Sequence, residues 1–181
     1  KVVLIDCGVK ESIVRCLRRY ASVIQVPYDA DAGLIDRMRP DAVVVSNGPG
    51  NPAHPDIVRS TVQTVKSMVG RYPILGICLG HQILGIALGL RTYKMKFGHR
   101  GSNHGVKDLS SNRLYITSQN HGYAIEEAGA GEVTVSWLNV NDRTIEGIRH
   151  RNLPVRGIQF HPEAGPGPWD TRFVFKDLLD A

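Results

Sequence analysis

The stretch PILGICLGHQILG, residues 73–85, decides the fold. It predicts a short apolar strand, a tight turn and then a helix. Cys78 falls at the turn between Gly76 and Gly80, and this GxCxG spacing matches that of a nucleophile elbow. The glycines would let the strand and helix backbones approach, while the helix N-terminus would favour the thiolate over the thiol. The pattern predicts a nucleophilic cysteine, the alternative being a small buried hydrophobic residue.

A second motif supplies a base for this nucleophile. Residues 155–160 predict another apolar strand, which runs directly into His161, Pro162 and Glu163. Because residues two apart on an extended segment lie on the same side, Glu163 can reach one imidazole nitrogen while the other faces Cys78. A His-Pro-Glu sequence alone is more often a loop. Two motifs that each end a strand favour a catalytic set of Cys78, His161 and Glu163.

His121 is a rival base. It lies in SQNHGYA, residues 118–124, after a predicted strand that begins at Leu114. It lacks an obvious carboxylate partner, although Glu126 is close in the sequence, so it ranks second to His161. Polar residues after a strand suggest a substrate-recognition edge, and the alternative is a turn that Asn120 caps.

Composition and charge exclude several classes of protein. The chain has 181 residues, of which 42% are hydrophobic and 22% charged, as in an ordinary single globular domain. It has no apolar run of membrane-spanning length and no leader-like start, so we expect neither a membrane protein nor a secreted one. The charge of +5 is spread along the chain, which argues against nucleic-acid binding. Three cysteines without metal-ligand spacing fit a reducing, cytoplasmic compartment.

The order of predicted elements indicates an α/β fold. Strands at 2–6, 22–27 and 41–46 alternate with helices at 11–20, 31–39 and 55–69, and the elbow helix runs to about residue 88. This alternation predicts a mostly parallel central sheet with helices on both faces. Short strands at 92–95, 114–118, 133–138 and 145–149 predict the far edge of the sheet and a small antiparallel annex. Residues 171–179 predict a last helix.

Two glycine-rich segments remain. Asn47, Gly48, Pro49 and Gly50 follow the third strand, and backbone N–H groups there could form an oxyanion or substrate loop rather than a plain surface turn. Residues 98–105 are polar and rich in glycine, which predicts a loop. Its histidines, His99 and His104, could be metal ligands. With no third candidate ligand nearby, we expect loop or interface residues and no metal site.

Four motifs together resemble the class I glutamine amidotransferases. They are SNGPG at 46–50, GICLGHQ at 76–82, SQNHGYA at 118–124 and FHPEA at 160–164. Within that class, YKMKFGHRGSNHGVKD at 93–108, NHG at 120–122 and PEAGPGPWD at 162–170 look most like the glutaminase domain of the carbamoyl phosphate synthetase small subunit. The resemblance implies a flavodoxin-like α/β fold over residues 1–181. The N-terminal domain of that family has no counterpart here.

The resemblance also implies a reaction. Glutamine would be hydrolysed to glutamate and ammonia through a glutamyl thioester on Cys78. The N–H of Leu79, with that of Gly48 or Gly50, would hold the oxyanion. Substrate contacts would come from Gln82 and from the backbone of Asn120, Gly122 and Tyr123.

Partners and alternatives follow from the same resemblance. The domain itself would need no metal or cofactor. Its partner would be a large synthetase subunit, which would bind ATP and magnesium and use the ammonia to make carbamoyl phosphate for arginine and pyrimidine biosynthesis. One alternative is the glutaminase domain of an anthranilate, GMP or CTP synthetase. Others are a γ-glutamyl or peptide hydrolase of the same fold, and a non-catalytic regulatory subunit.

Overall fold

A computed structural model describes residues 1–126, 131–165 and 167–180. Pro166, inside the PEAGPGPWD motif, lies outside these residues. The described strands form one nine-stranded sheet in the order β2-β1-β3-β4-β9-β8-β7-β5-β6. The first five strands in this order pair in parallel and the remainder pair antiparallel, so the sheet has two halves.

The parallel half contains the elements that alternate along the sequence. Its strands are β1 (Val2–Asp6), β2 (Val23–Pro27), β3 (Ala42–Val45), β4 (Ile74–Ile77) and β9 (Val155–Ile158). Its helices are α1 (Glu11–Leu17), α2 (Ala32–Met38), α3 (Pro55–Ile57), α4 (Gln63–Met68), α5 (Leu79–Ala87) and α6 (Phe173–Leu179), and a π-helical turn, Val58–Val62, joins α3 to α4.

Helices cover both faces of the parallel half. On β1, Val2 and Leu4 pack into one hydrophobic cluster, whereas Val3 and Ile5 pack into the other. Side chains of a strand alternate between faces, so one buried strand supports both layers. The first cluster includes buried residues of α1 and α6, and the second includes those of α2, α4 and α5. The expected α/β fold with helices on both faces is confirmed.

The antiparallel half forms the far edge of the sheet, as expected, and it is larger than a small annex. It consists of β5 (Thr92–Asp108), β6 (Leu114–Ile125), β7 (Val133–Asn139) and β8 (Ile145–His150). Strands β5 and β6 form a long hairpin at the edge of the sheet. Strand β8 joins the two halves because it pairs antiparallel with β9.

The prediction of a loop over residues 98–105 is wrong, because these residues belong to β5. The register between β5 and β6 shifts twice, between Lys94 and His99 and again between Gly101 and His104. Gly98 and Gly101 have φ values of 72° and 141° at these irregularities. Glycines that accommodate β-bulges look like loop glycines in a sequence. Likewise, residues 119–123 do not follow a strand but lie within β6.

Among the described residues, none of the helices combines the length and apolar character that crossing a membrane requires.

Candidate active site

Cys78 occupies a strained elbow between β4 and α5. Its φ is +55° and its ψ is −104°, a conformation that residues with side chains rarely adopt. A Cβ on Gly76 would overlap the backbone of Gly80, and a Cβ on Gly80 would overlap the carbonyl oxygen of Val45. The glycine frame therefore lets β4, α5 and β3 approach closely, as the GxCxG spacing predicts.

The loop after β3 lies against this elbow. A Cβ on Gly48 would overlap the carbonyl oxygen of Cys7 and come within 2.9 Å of the Leu79 side chain. Gly50 has a φ of +98° with open space around it. The Asn47 side chain anchors the loop, because its Oδ1 accepts a hydrogen bond of 3.0 Å from the backbone N–H of Lys10. Gly48, Gly50 and Leu79 all line the same cleft as Cys78.

His161 and Glu163 form the expected pair. The imidazole Nδ1 lies 2.8 Å from Oε1 of Glu163, which leaves Nε2 for Cys78. His161 is held in place by its backbone N–H, which donates to the carbonyl of Ser118 on β6. Burial disfavours the imidazolium, but hydrogen bonds to Cys78 and Glu163 outweigh burial and raise the pKa of His161 to about 9.

Glu163 is completely buried yet ionised. Burial opposes its charge, but the hydrogen bond to His161 and the ion pair with Lys10 lower the pKa of the Glu163 carboxyl. Lys10 Nζ lies 3.0 Å from Oε1 of Glu163 and reaches it from the segment after β1. Sequence reasoning missed Lys10, because nothing in GVK at residues 8–10 marks a partner more than 150 positions away. Only the sheet order, which places β1 near β9, brings the two together.

The other two cysteines lie in environments that favour the thiol. Burial, reinforced by the charge of Asp6, raises the pKa of Cys7 to about 12. Burial also raises the pKa of Cys16, against the lowering effect of nearby arginines. Neither residue lines the cleft at Cys78.

The site opens into a cleft of about 730 Å³ between the two halves of the sheet. The predicted residues that line it are Gly48, Gly50, Cys78, Leu79, Gln82, Asn120, Gly122, Tyr123 and His161. Glu163 does not line it and lies behind His161. From the antiparallel half, β5 adds lining residues that sequence reasoning did not single out for this role: Lys94, Met95, Lys96, Phe97 and Arg100.

Gln82 connects the two halves at the floor of the cleft. Its Nε2 donates to the carbonyl of Tyr123 at 2.7 Å and to Oε1 of Gln159 at 2.9 Å. Because the amide nitrogen is already used in this way, the carbonyl end of Gln82 is the part left for a substrate. The Cys78 thiol contacts the carbonyl of Asn120 at 3.8 Å, so β6 also reaches the nucleophile.

His121 lines the cleft, but its ring is not paired with Glu126, which instead binds Arg91 at 3.0 Å. His121 contacts His99, whose Nδ1 also lies 3.2 Å from Oε1 of the buried Glu146. The expectation that no third candidate ligand lies near His99 is therefore wrong. His99, His121 and Glu146 have the spacing that a metal ion would allow. His104 is not part of this set; its ring stacks against that of His99 at 5.1 Å.

Comparison with known proteins identifies relatives over nearly the whole chain. The carbamoyl phosphate synthase small chains of Methanopyrus kandleri and Methanocaldococcus jannaschii are 55% and 52% identical over 99% of this chain. That of Staphylococcus saprophyticus is 48% identical over 99%. The chain spans about half the length of these relatives, 50%, 50% and 49% respectively.

Solved structures with the same fold are more distant in sequence. A putative GMP synthase component from Thermoplasma acidophilum superposes with a TM-score of 0.84 at 24% identity, covering 99% of this chain and 92% of its own. A glutamine amidotransferase from Thermotoga maritima gives a TM-score of 0.71 at 19% identity over 90% of this chain and 75% of its own. These similarities show the fold alone.

The sequence profile described as "Glutamine amidotransferase class-I" matches residues 3–181. This range includes the elbow at Cys78, the loop at Gly48 and the pair of His161 and Glu163. The chain therefore belongs to the class I glutamine amidotransferase family.

Proposed function

We propose that the chain hydrolyses glutamine to glutamate and ammonia, and that it supplies the ammonia to a carbamoyl phosphate synthetase. The observation that carries the proposal is the buried His161–Glu163 pair, which presents a protonated imidazole to a cysteine on a strained elbow. Cysteine with an oriented histidine is the arrangement required for acyl transfer.

In the first half-reaction the Cys78 sulfur attacks the side-chain amide carbon of glutamine. A C–S bond forms, and the amide oxygen takes up negative charge. The backbone N–H of Leu79, at the N-terminus of α5, and that of Gly48 or Gly50 would stabilise this oxyanion. One such donor is typically worth about 3 kcal/mol of transition-state stabilisation. The C–N bond then breaks as His161 gives its proton to the departing nitrogen, so ammonia leaves and a glutamyl thioester remains.

The second half-reaction needs His161 as a base. Hydrogen bonding to Cys78 contributes to the raised pKa of His161 in the free enzyme. That contribution is lost when the sulfur is acylated, so the imidazole gives up its proton more easily at this stage. His161 can then take a proton from water, which attacks the thioester carbon, and glutamate leaves as the Cys78 thiolate is regenerated.

The contacts that bind glutamine would come from both halves of the sheet. Gln82, Asn120, Gly122 and Tyr123 line the same cleft as Gly48 and Gly50. We expect no metal or cofactor in this half-reaction.

ATP and magnesium would be bound by a large synthetase subunit, as in cytoplasmic carbamoyl phosphate synthesis for arginine and pyrimidines. The similarity to carbamoyl phosphate synthase small chains supports this partner over the other synthetases of the family.

The experiment that tests this proposal measures glutamate and ammonia release from glutamine, with and without a carbamoyl phosphate synthetase large subunit. Cys78→Ala is the inactive comparison, and Cys16→Ala is the matched control because Cys16 is buried outside the cleft. We expect release that depends on Cys78 and that becomes faster with the large subunit. Release that depends on Cys78 but is indifferent to any synthetase subunit would favour a free-standing γ-glutamyl hydrolase. No release in either condition would contradict the proposal.

A further inference from the structure

At the cleft wall lies a chain of four polar side chains that the proposed reaction does not use, and three of them, His99, His121 and Glu146, are buried. His121 on β6 pairs across the hairpin with His99 on β5, and the ring nitrogens His121 Nε2 and His99 Nδ1 are 3.1 Å apart. Glu146 on β8 is completely buried and lies 3.2 Å from the same nitrogen of His99. The outer nitrogen of His99, Nε2, lies 2.8 Å from Asp142.

The neighbours of His121 decide which of its nitrogens carries the hydrogen. Nδ1 lies 2.8 Å from the carbonyl oxygen of Tyr123, which can only accept, so Nδ1 must donate. Burial lowers the pKa of His121, so its ring is neutral and Nε2 has a lone pair. Besides His99, the other neighbour of Nε2 is Oε1 of Gln119 at 3.0 Å, which is an acceptor. Of these two neighbours, only His99 can donate to Nε2.

The neighbours of His99 then require hydrogens on both of its nitrogens. Nδ1 must donate to His121 and Glu146, and Nε2 must donate to the carboxylate of Asp142. An imidazole with two donating nitrogens is an imidazolium. Hydrogen bonding to Glu146, and to a smaller extent to Asp142, outweighs burial and raises the pKa of His99 to about 9, which agrees with this assignment.

We infer that His99 is a positioning residue for glutamine binding: as an imidazolium held by Glu146 and Asp142, it fixes the ring of His121 and, through that ring, the cleft-lining backbone from Asn120 to Tyr123. His121 is bonded to the Tyr123 carbonyl, which also accepts from Gln82. Asn120, next to His121, contacts Cys78 through its carbonyl. Loss of the His99 donor would therefore let the backbone from Asn120 to Tyr123 move, while Cys78, His161 and Glu163 stay in place.

A metal ion is the competing occupant of the same cluster. A metal would need lone pairs on the inner nitrogens of both histidines, whereas the inference places a hydrogen on His99 Nδ1. The two therefore differ in a measurable way, namely the protonation of His99 Nδ1 and the metal content of the purified chain.

The inference rests on the proposed glutamine hydrolysis, and the test uses glutamine binding measured by calorimetry in the Cys78→Ala background. His99→Asn keeps an amide nitrogen near the position of Nδ1 and should bind glutamine within about threefold of the parent. His99→Leu combined with Glu146→Gln removes the donor without leaving a buried carboxylate unpaired. We expect this double variant to weaken binding about tenfold, as for loss of one buried hydrogen-bond partner. His150→Leu, which removes another buried histidine of the antiparallel half that pairs with a carboxylate, Glu132, and does not line the cleft, is the matched control and should bind like the parent.

Melting temperatures establish that each variant is folded, and nitrogen-15 imidazole spectra of the wild-type chain report protonation directly. We expect two protonated nitrogens on His99 and one, Nδ1, on His121. Three results would overturn the inference: equal affinity of the folded double variant and the parent, a neutral His99, or a stoichiometric metal ion that His99→Asn removes. Absence of glutamine binding by the parent itself would instead refute the proposed function, and the inference with it.

Discussion

The two halves of the sheet contribute differently to the cleft. The parallel half holds the reacting groups: Cys78 follows β4, His161 follows β9, and the Gly48 loop follows β3. These strands are neighbours in the sheet, so their carboxyl ends meet at one edge, where ligands of such folds bind. The antiparallel half supplies the opposite wall through β5 and β6. In the proposed reaction the chemistry therefore belongs to the parallel half, whereas recognition of glutamine draws on the antiparallel wall together with Gln82 on α5.

The largest effect should come from the nucleophile. Cys78→Ala should lower glutamine hydrolysis by at least about 10⁴-fold, because a reaction that needs a covalent intermediate loses its first step. Glutamine should still bind, since the antiparallel wall is unchanged. Steady-state rates and calorimetric affinities check the two statements, with Cys16→Ala as the unaffected control. Loss of binding together with activity would mean that the Cys78 side chain is itself needed to hold glutamine.

The second prediction compares one glycine from each half by its effect on folding. Gly80→Ala places a methyl group into the carbonyl oxygen of Val45, so either the elbow or the sheet must shift. We expect a loss of more than about 4 kcal/mol in the free energy of unfolding, or failure to fold.

Gly105→Ala on β5 is the matched control. Its new methyl group meets the end of the half-exposed Val140 side chain, which can move. We expect a change of about 1 kcal/mol or less. Urea unfolding of both variants measures the difference, and equal destabilisation would contradict the close approach of β4, α5 and β3 at the elbow.

The third prediction concerns pH. The first half-reaction needs the imidazolium of His161, whose pKa is raised to about 9, so kcat/KM should fall as the pH rises through about 9. Glu163→Gln removes one of the groups that raise this pKa, so the alkaline limb should move to lower pH. A drop of about 10- to 100-fold in kcat at neutral pH should accompany the shift. An unchanged pH profile in Glu163→Gln would show that Glu163 does not act on His161.

The smallest effect should come from Lys10. Its ammonium is partly exposed and pairs with the buried Glu163, whereas Lys96 on β5 lies over the ring of Phe97, 5.3 Å from its centre. Lys10→Met should lower kcat about 3- to 10-fold, since His161 still holds Glu163. Lys96→Met, at the rim of the same cleft, should leave kcat within about twofold. Rates at saturating glutamine distinguish the two variants. A larger loss of kcat in Lys96→Met than in Lys10→Met would contradict the role of Lys10 as the partner of Glu163.

Sequence reasoning succeeded where local chemistry sets the structure. The glycines around Cys78 and the two-residue spacing of His161 and Glu163 are local signals, because an elbow and an extended pair need only their own neighbours. The paired Lys10 and Glu163, and the cluster of His99, His121 and Glu146, could not be predicted. Their contacts depend on the strand order, and the bulges that bring His99 opposite His121 make β5 look like a loop.

The measurement that tests the central claim most directly is intact-protein mass spectrometry of the chain quenched in acid at short times after mixing with glutamine, followed by peptide mapping. The account predicts a transient glutamyl adduct on the peptide that contains Cys78, absent from Cys78→Ala and longer-lived in Glu163→Gln. Glutamate release without any adduct on Cys78, or an adduct on another residue, would contradict it.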